Sequence, residues 1–175
     1  MATSGFTPDV KVWEVKFSRS GEFEKVARAF DLTGHTSGVY SFSFSADSGR
    51  MATVSKDGTW KVFDTAVEFS KGQDPTVIMS GSYPWDNNMP SKITISPDGA
   101  VVVLSHDKSL VFYSVLTGAD AGTVTGVHTE PVSQTIFSSD SQLVLSAGDK
   151  HVKILHNVPG IRIKIQVGQA CQSSA

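Results

Sequence analysis

The stretch GHTSGVYSFSFSADSGRMATVSKDGTWKVFD, residues 34–64, decides the fold of this chain. It contains three short apolar runs, at 39–45, 51–55 and 59–63, and the first run alternates between two faces with a period of two. Such alternation is typical of half-buried strands. The Asp57-Gly58 pair favours a tight hairpin because such turns need residues that tolerate positive φ. The stretch therefore predicts three antiparallel strands behind a Gly-His pair.

The same pattern recurs along the chain. A second copy covers about 92–115 with Asp107 in its turn, and a third covers about 128–157 with His128 before its strands and Asp149 in its turn. A strand near the start, at 9–17, resembles the end of another copy. Aligning the last strands of these copies places Trp13, Phe63, Tyr113 and Leu155 at one repeat position, at steps of 50, 50 and 42. This spacing predicts a repeat fold with one small sheet per copy.

A Gly-His opening, short strands, a turn Asp and a terminal aromatic together resemble the WD40 repeat, one blade of a β-propeller. The resemblance implies an all-β fold, a WD40 β-propeller that forms here a partial ring of about three four-stranded antiparallel blades. It also implies a hydrogen-bonded side-chain network within the blades. The matching positions are His35, Thr53, Asp57, Asp107, His128 and Asp149. Phe63 stands where the family has a Trp, so the network of the first copy lacks the indole donor.

We expect the partial propeller to occupy residues 1–160. Residues 23–32 have both helical and strand spacing; we favour an outer strand because the repeat places one before its Gly-His, and a helix is the alternative. The alternation in IRIKIQV predicts an extra or closing strand over 161–168. The polar residues 169–175 are expected to form a flexible tail.

The composition indicates a globular chain without special chemistry. Its 175 residues have a formal net charge of -2, with 39% hydrophobic and 18% charged residues. Lysines and arginines are scattered among the acids, so no basic stripe indicates duplex nucleic-acid binding. Cys171 is the only cysteine, which excludes an internal disulfide and fits a reducing compartment. No apolar run is long enough for a membrane span, so we expect no membrane contact from this stretch and a cytosolic compartment.

Catalytic and metal-binding patterns are weak. Residues 34–64 contain Ser, His and Asp, yet no GxSxG-like elbow is present, and the resemblance already gives His35 and Asp57 a structural role. His151 and His156 are an odd number of residues apart on a strand, which places them on opposite faces. Residues 118–122 lack the Lys-Ser/Thr of a phosphate loop. We therefore expect no enzyme, no catalytic or metal-binding residue and no cofactor.

The resemblance implies a protein-binding face at one end of the blades. It is formed by residues that flank the start of each inner strand and by the residue before each turn Asp. Carried over, these positions are Gly38, Tyr40 and Lys56, then Met89, Ser91 and His106, then Pro131, Ser133 and Gly148. The candidate partner contacts are Tyr40, Lys56, Ser91 and His106, with Trp85 in a long connecting loop. The alternatives are that Tyr40 is an ordinary strand residue and that Trp85 packs under its own loop.

The expected function is a non-catalytic protein-interaction scaffold. Strings such as GFTPDVKVWEV and FSADSGRMATVSKDGTWKVFDT resemble a branch of the family that acts in endoplasmic-reticulum stress signalling and translation control. This resemblance implies the stress kinase PERK as a partner. It also implies a place at the cytosolic face of the endoplasmic reticulum, through an N-terminal anchor missing from this chain. An RNA-associated module, with bases stacking on aromatics such as Trp85, is the alternative.

The number of copies predicts an incomplete ring. Propellers close with typically four to eight blades, since closure removes the sheet edges. Three blades do not close a ring of the usual geometry, so we expect self-association through open blade edges. A non-functional fragment of a longer propeller is the distant alternative.

Overall fold

The structure is a computed structural model that describes residues 1–83 and 90–173, with side chains described as far as residue 166. The candidate Trp85 and Met89 therefore lie outside the described residues. The strands are β1 Ala2–Thr3, β2 Val10–Phe17, β3 Phe23–Leu32, β4 Val39–Phe44, β5 Arg50–Ser55, β6 Thr59–Asp64, β7 Thr76–Ser82, β8 Lys92–Ile95, β9 Val101–His106, β10 Ser109–Ser114, β11 Asp120–Val124, β12 Gln134–Phe137, β13 Leu143–Gly148 and β14 His151–His156. A 3-10 turn covers Phe69–Lys71 and the helix α1 covers Val158–Ser173. Over the described residues, no helix is both long enough and apolar enough to cross a bilayer.

The strands form four antiparallel sheets, here called the first to fourth blades. Their strand orders are β1-β2-β3, β4-β5-β6-β7, β8-β9-β10-β11 and β12-β13-β14. The inner strands β4, β8 and β12 run side by side, so the blades follow one another as in a propeller. This confirms the predicted all-β class and the partial propeller. Within the described residues the second and third blades have four strands and the first and fourth have three.

Each pair of neighbouring blades encloses its own apolar cluster. Val10, Leu32 and Met51 lie between the first and second blades. The second and third blades bury Trp60 with Leu104, and the third and fourth bury Phe112 with Val144. The terminal residues of the copies pack toward the preceding blade, as shown by Phe63, Tyr113 and Leu155. This position is therefore a packing position, which explains why Phe, Tyr and Leu can replace the family's Trp there.

Residues 23–32 form the strand that we favoured. β3 pairs antiparallel with β2, from Val10 opposite Leu32 to Phe17 opposite Phe23. The helical alternative is therefore wrong. The short strand β1 pairs with the other edge of β2, an addition that the sequence did not indicate.

The predicted closing strand over 161–168 is wrong, because these residues belong to α1. Asn157 starts the helix: its side-chain oxygen accepts the N–H of Gly160 at 3.1 Å, as an N-cap residue does. Pro159 fits the first helical turn, where a missing N–H costs nothing, but not a central strand. Ile163 packs against the cluster between the third and fourth blades, and Lys164 pairs with Asp98 at 2.7 Å. The predicted flexible tail is also helical as far as Ser173.

The outward face of the fourth blade is apolar. Ile136, Val152 and Ile154 are 50%, 64% and 65% exposed, whereas Val144 of the same blade packs inward toward the third. We propose that this face carries the self-association expected from the sequence. Ile154→Lys should lower the average mass in light scattering after size exclusion, because a charge on the face resists burial. Val77→Lys, at an exposed position of β7, is the control and should leave the mass unchanged. A monomeric unaltered chain at high concentration would contradict the proposal.

Candidate partner-binding face

A buried polar network joins the strands of the second blade. His35 Nδ1 lies 3.0 Å from Asp57 Oδ2, and His35 Nε2 lies 2.8 Å from Thr53 Oγ1. Burial lowers the pKa of His35 despite the neighbouring Asp57, so the ring is neutral near pH 7. Its Nδ1–H therefore donates to Asp57, and the Thr53 hydroxyl donates to Nε2. The three predicted members thus meet in one chain of hydrogen bonds.

Thr59 is a fourth member that sequence reasoning missed. Its hydroxyl donates to Asp57 Oδ1 at 2.6 Å and its N–H donates to the same oxygen at 2.9 Å. The indication was present in the sequence, since an Asp often accepts the N–H two residues later in a turn. The N–H of Thr36 donates to the other carboxylate oxygen at 2.9 Å. Burial opposes ionisation of Asp57, but these hydrogen bonds and that of His35 outweigh it and lower its pKa to about 2.

Acid should destabilise the chain through this network. The pKa values of His35 and Asp57 are lowered in the fold, so the unfolded chain takes up protons more readily at both residues. The stabilising contribution of His35 should fade as the pH falls below 6.5, and that of Asp57 as it falls from 3.8 toward about 2. Urea unfolding from pH about 7.5 to about 3 measures the loss. Asp57→Asn should flatten the acid part of the profile, and an unchanged profile in that variant would contradict the assignment.

The fourth blade contains a similar network. His128 Nδ1 lies 2.8 Å from Asp149 Oδ1, and His128 Nε2 lies 3.1 Å from Ser146 Oγ. The N–H and hydroxyl of Thr129 donate to Asp149 Oδ2. The hydrogen bonds of Thr129 and His128 hold the pKa of Asp149 well below its usual value. Ser146 takes the role of Thr53, and sequence reasoning missed it because the hairpin of this blade is shorter.

The third blade differs, and Asp107 is not part of such a network. Asp107 occupies the turn with φ 49, but its side chain is exposed and makes no hydrogen bond among the described residues. Val103, fully buried, stands where the second blade has Thr53. The expectation that Asp107 belongs to a blade network is therefore corrected: the residue keeps the turn conformation alone.

The His, Asp and Ser side chains of the second blade are engaged in structural contacts. Both ring nitrogens of His35 are held by Asp57 and Thr53, so neither is free to act as a base toward a substrate. The hydroxyl of Ser55 donates to backbone oxygens of Ser37 and Gly38. No group of three residues suited to a metal ion occurs among the described residues.

The hairpin face, defined as the rim of the blades that carries the turns at 56–58, 107–108 and 149–150, contains the candidate site. A cavity of about 510 Å³ opens there beside the second blade. Its lining residues are Ser4, Gly5, Phe6, Ser37, Gly38, Val39, Tyr40 and Lys56. The structure therefore brings Tyr40 and Lys56 together, as their assignment to one face requires.

The N-terminal segment 4–6 forms one wall of the cavity. The N–H of Val39 donates to the carbonyl oxygen of Gly5 at 3.1 Å. A Cβ on Gly38 would lie 3.0 Å from that oxygen and 3.2 Å from the Cα of Phe6, so this close approach favours glycine. Backbone contacts thus fix the segment against the start of β4.

Phe6 is the residue of this face that sequence reasoning missed. Its side chain is fully exposed, although large apolar residues usually find cover. Phe6, Lys56 and His106 occupy every fiftieth position, the same step that joins Trp13, Phe63 and Tyr113. Extending the repeat alignment back to the first copy, whose last strand lies at 9–17, would have identified Phe6.

The other candidates occupy different environments. Ser91 is fully buried, and its Oγ lies 3.0 Å from His106 Nδ1, so it positions His106 and is not itself accessible. His106 is half-buried at the hairpin face. The three positions of the third copy, Pro131, Ser133 and Gly148, line a smaller cavity of about 270 Å³.

Comparison with known protein families finds matches in two parts of the chain. The model of the WD domain, G-beta repeat, matches residues 23–64 and 114–155. The first range covers β3 to β6 and the second ends within β14, so each match runs from an outer strand through the next three strands. Both ranges include a His–Asp pair that the structure shows bonded.

Three curated proteins are similar over most of the chain. Transducin beta-like protein 2 of Mus musculus is 42% identical over 170 residues, which cover 97% of this chain and 38% of the relative. The protein of the same name from Homo sapiens is 42% identical over 167 residues, 95% of this chain and 37% of the relative. Meiotic recombination protein rec14 of Schizosaccharomyces pombe is 28% identical over 159 residues, 90% of this chain and 47% of the relative. The chain thus spans less than half the length of each of these relatives.

Proposed function

Because this chain belongs to the WD40-repeat family, we propose that it is a non-catalytic protein-interaction scaffold whose partner contacts lie on the hairpin face of the second blade. One observation carries the proposal. The buried His35–Asp57 pair is fully engaged in holding the blade, whereas no hydrogen bond or ion pair engages the side chains of Tyr40 and Lys56 within the described residues. The His35–Asp57 pair is engaged inside the blade, whereas Tyr40 and Lys56 on the rim are available to a partner. This difference supports binding over catalysis.

The residues on this rim suit a protein partner. Aromatic side chains such as Phe6 and Tyr40 offer large contact areas for few rotatable bonds, and Tyr adds a polar tip. The cavity of about 510 Å³ lies within the usual range for sites that enclose a ligand or an inserted side chain. Trp85, the aromatic on which the RNA alternative depends, lies outside the described residues, so the protein partner is the single proposal.

The finer proposal places this scaffold in endoplasmic-reticulum stress signalling and translation control, with PERK as a partner at the cytosolic face of that membrane. It rests on the family resemblance alone. The chain spans only 38% of the mouse relative. Capture of PERK by the immobilised chain would test this finer proposal directly.

Affinity capture from a cell lysate tests the proposal. The immobilised unaltered chain should capture a defined set of proteins, and Tyr40→Ala combined with Lys56→Glu should remove part of that set. The control Lys25→Glu makes the same charge change at an exposed position of β3 and should keep the whole set. Identical capture by all three chains would overturn the proposed face. Loss of the captured proteins after ribonuclease treatment would favour the RNA alternative.

A further inference from the structure

We infer that the cavity on the hairpin face binds an extended acidic segment of a partner protein. In this arrangement an aromatic or branched apolar side chain of the partner packs against Phe6 and Tyr40, and a neighbouring Asp or Glu of the partner pairs with Lys56. This inference rests on the proposed scaffold function and specifies the chemistry of its partner.

The charge of the cavity determines the acidic character of the partner. Among the described residues that line the cavity, Lys56 alone has a formal charge, and its side chain is exposed. The nearest carboxylate in sequence, Asp57, accepts hydrogen bonds from Thr36, Thr59 and His35, which turn it into the blade. Within the described residues no ion pair joins Asp57 to Lys56. Because the chain has a net charge of -2, this cationic spot is local and does not attract polyanions in general.

The apolar part of the cavity determines the neighbouring side chain. Phe6 is fully exposed, Tyr40 is half-buried and packs against the cluster between the second and third blades, and Val39 is buried. The exposed ring of Phe6 and the accessible part of Tyr40 gain contact area when an apolar side chain enters. An acidic residue alone would leave this surface uncovered, and an apolar residue alone would leave Lys56 unpaired.

The geometry of the cavity is fixed before the partner arrives. Val39 N–H donates to Gly5 O at 3.1 Å, and Lys56 N–H donates to Gly38 O at 2.9 Å. These bonds join the segment 4–6, the start of β4 and the turn after β5 into one backbone frame. The backbones of Phe6 and Lys56 therefore keep their relative position, which reduces the backbone entropy lost on binding. The distance between the two backbones limits the spacing between the apolar and the acidic residue of the partner.

Titration with labelled short peptides tests the inference. The probe Gly-Ser-Glu-Phe-Glu-Gly-Ser is compared with a version in which Lys replaces both Glu residues and a version in which Ala replaces Phe. Fluorescence anisotropy with the unaltered chain should show that the first peptide binds about tenfold or more tightly than either of the others. Equal binding of the acidic and the basic peptide would overturn the inference.

Charge reversal adds a test that misfolding does not imitate. Lys56→Glu should weaken binding of the acidic peptide about tenfold or more. The same variant should bind the basic peptide more tightly than the unaltered chain does. Phe6→Ala should weaken binding of the acidic peptide, but the variant should still prefer the acidic peptide to the basic one. Lys25→Glu, the matched control, should bind as the unaltered chain does. If Lys56→Glu bound the acidic peptide as tightly as the unaltered chain does, the assignment of Lys56 would be refuted.

The two proposals fail separately. If lysate capture depends on Tyr40 and Lys56 but the peptides show no acidic preference, the scaffold function stands and the partner chemistry is wrong. If neither lysate proteins nor peptides depend on these residues, the proposed face itself is wrong.

Discussion

Trp60→Ala is expected to lower the free energy of unfolding by about 3–5 kcal/mol. Trp60 is fully buried between the second and third blades, with its ring 4.8 Å from that of Tyr113 at an angle of 37°. Gly81 of β7 makes room for it, since a Cβ there would lie 2.6 Å from the indole. Truncation would open a cavity in the contact that joins two blades, and neither sheet can collapse into it without breaking its own ladder.

Chemical denaturation measures this loss. Trp13→Ala is the matched control, because Trp13 is only half-buried and its Nε1 donates to Thr3 Oγ1 at 3.3 Å on the rim of the first blade. The control should lose about 1–2 kcal/mol, since less apolar area leaves the protein interior. Equal losses for the two variants would mean that the packing between the second and third blades contributes no more than an edge contact.

Asp57→Asn should cost about 2–4 kcal/mol of unfolding free energy. The carboxylate accepts hydrogen bonds from Thr36, Thr59 and the ring of His35. An Asn side chain has one acceptor oxygen and one NH₂ group, so its NH₂ must face donors that the carboxylate accepted. The size of the side chain stays the same, and the effect therefore reports the lost acceptor and the lost charge.

The third blade supplies the control for this variant. Asp107→Asn changes the same residue type at the equivalent turn, where the side chain is exposed and makes no hydrogen bond among the described residues. It should change the stability by less than about 0.5 kcal/mol, and Asn tolerates its φ of 49. If the two substitutions cost the same, the His35–Asp57 network does not stabilise the second blade beyond an ordinary turn.

Stability and binding are expected to depend on different residues of the second blade. His35 and Asp57 act inside the blade, and their loss should lower stability without a specific effect on a bound peptide. Lys56 precedes Asp57 in the same turn but faces solvent, so its charge reversal should alter binding and leave the stability nearly unchanged. One turn therefore carries a structural residue and a candidate contact side by side.

Local chemistry made much of the fold predictable from the sequence alone. Strand alternation, the Asp57-Gly58 turn and the recurrent terminal residues are local patterns, and they predicted the all-β class and the course of the blades. The members of the His35 network were implied by the resemblance to the WD40 repeat. The candidate pair Tyr40 and Lys56 was carried over from positions of the same repeat.

Tertiary contacts decided the rest. The periodicity of 23–32 fits a helix and a strand, and pairing with β2 selected the strand. The alternating residues after Gly160 form α1 because the Asn157 cap, the pairing of Lys164 with Asp98 and the packing of the partly buried Ile163 favour a helix there. Phe6 joined Lys56 at one cavity because Gly38 lets two distant segments touch. Such contacts link residues far apart in the chain, and no local period encodes them.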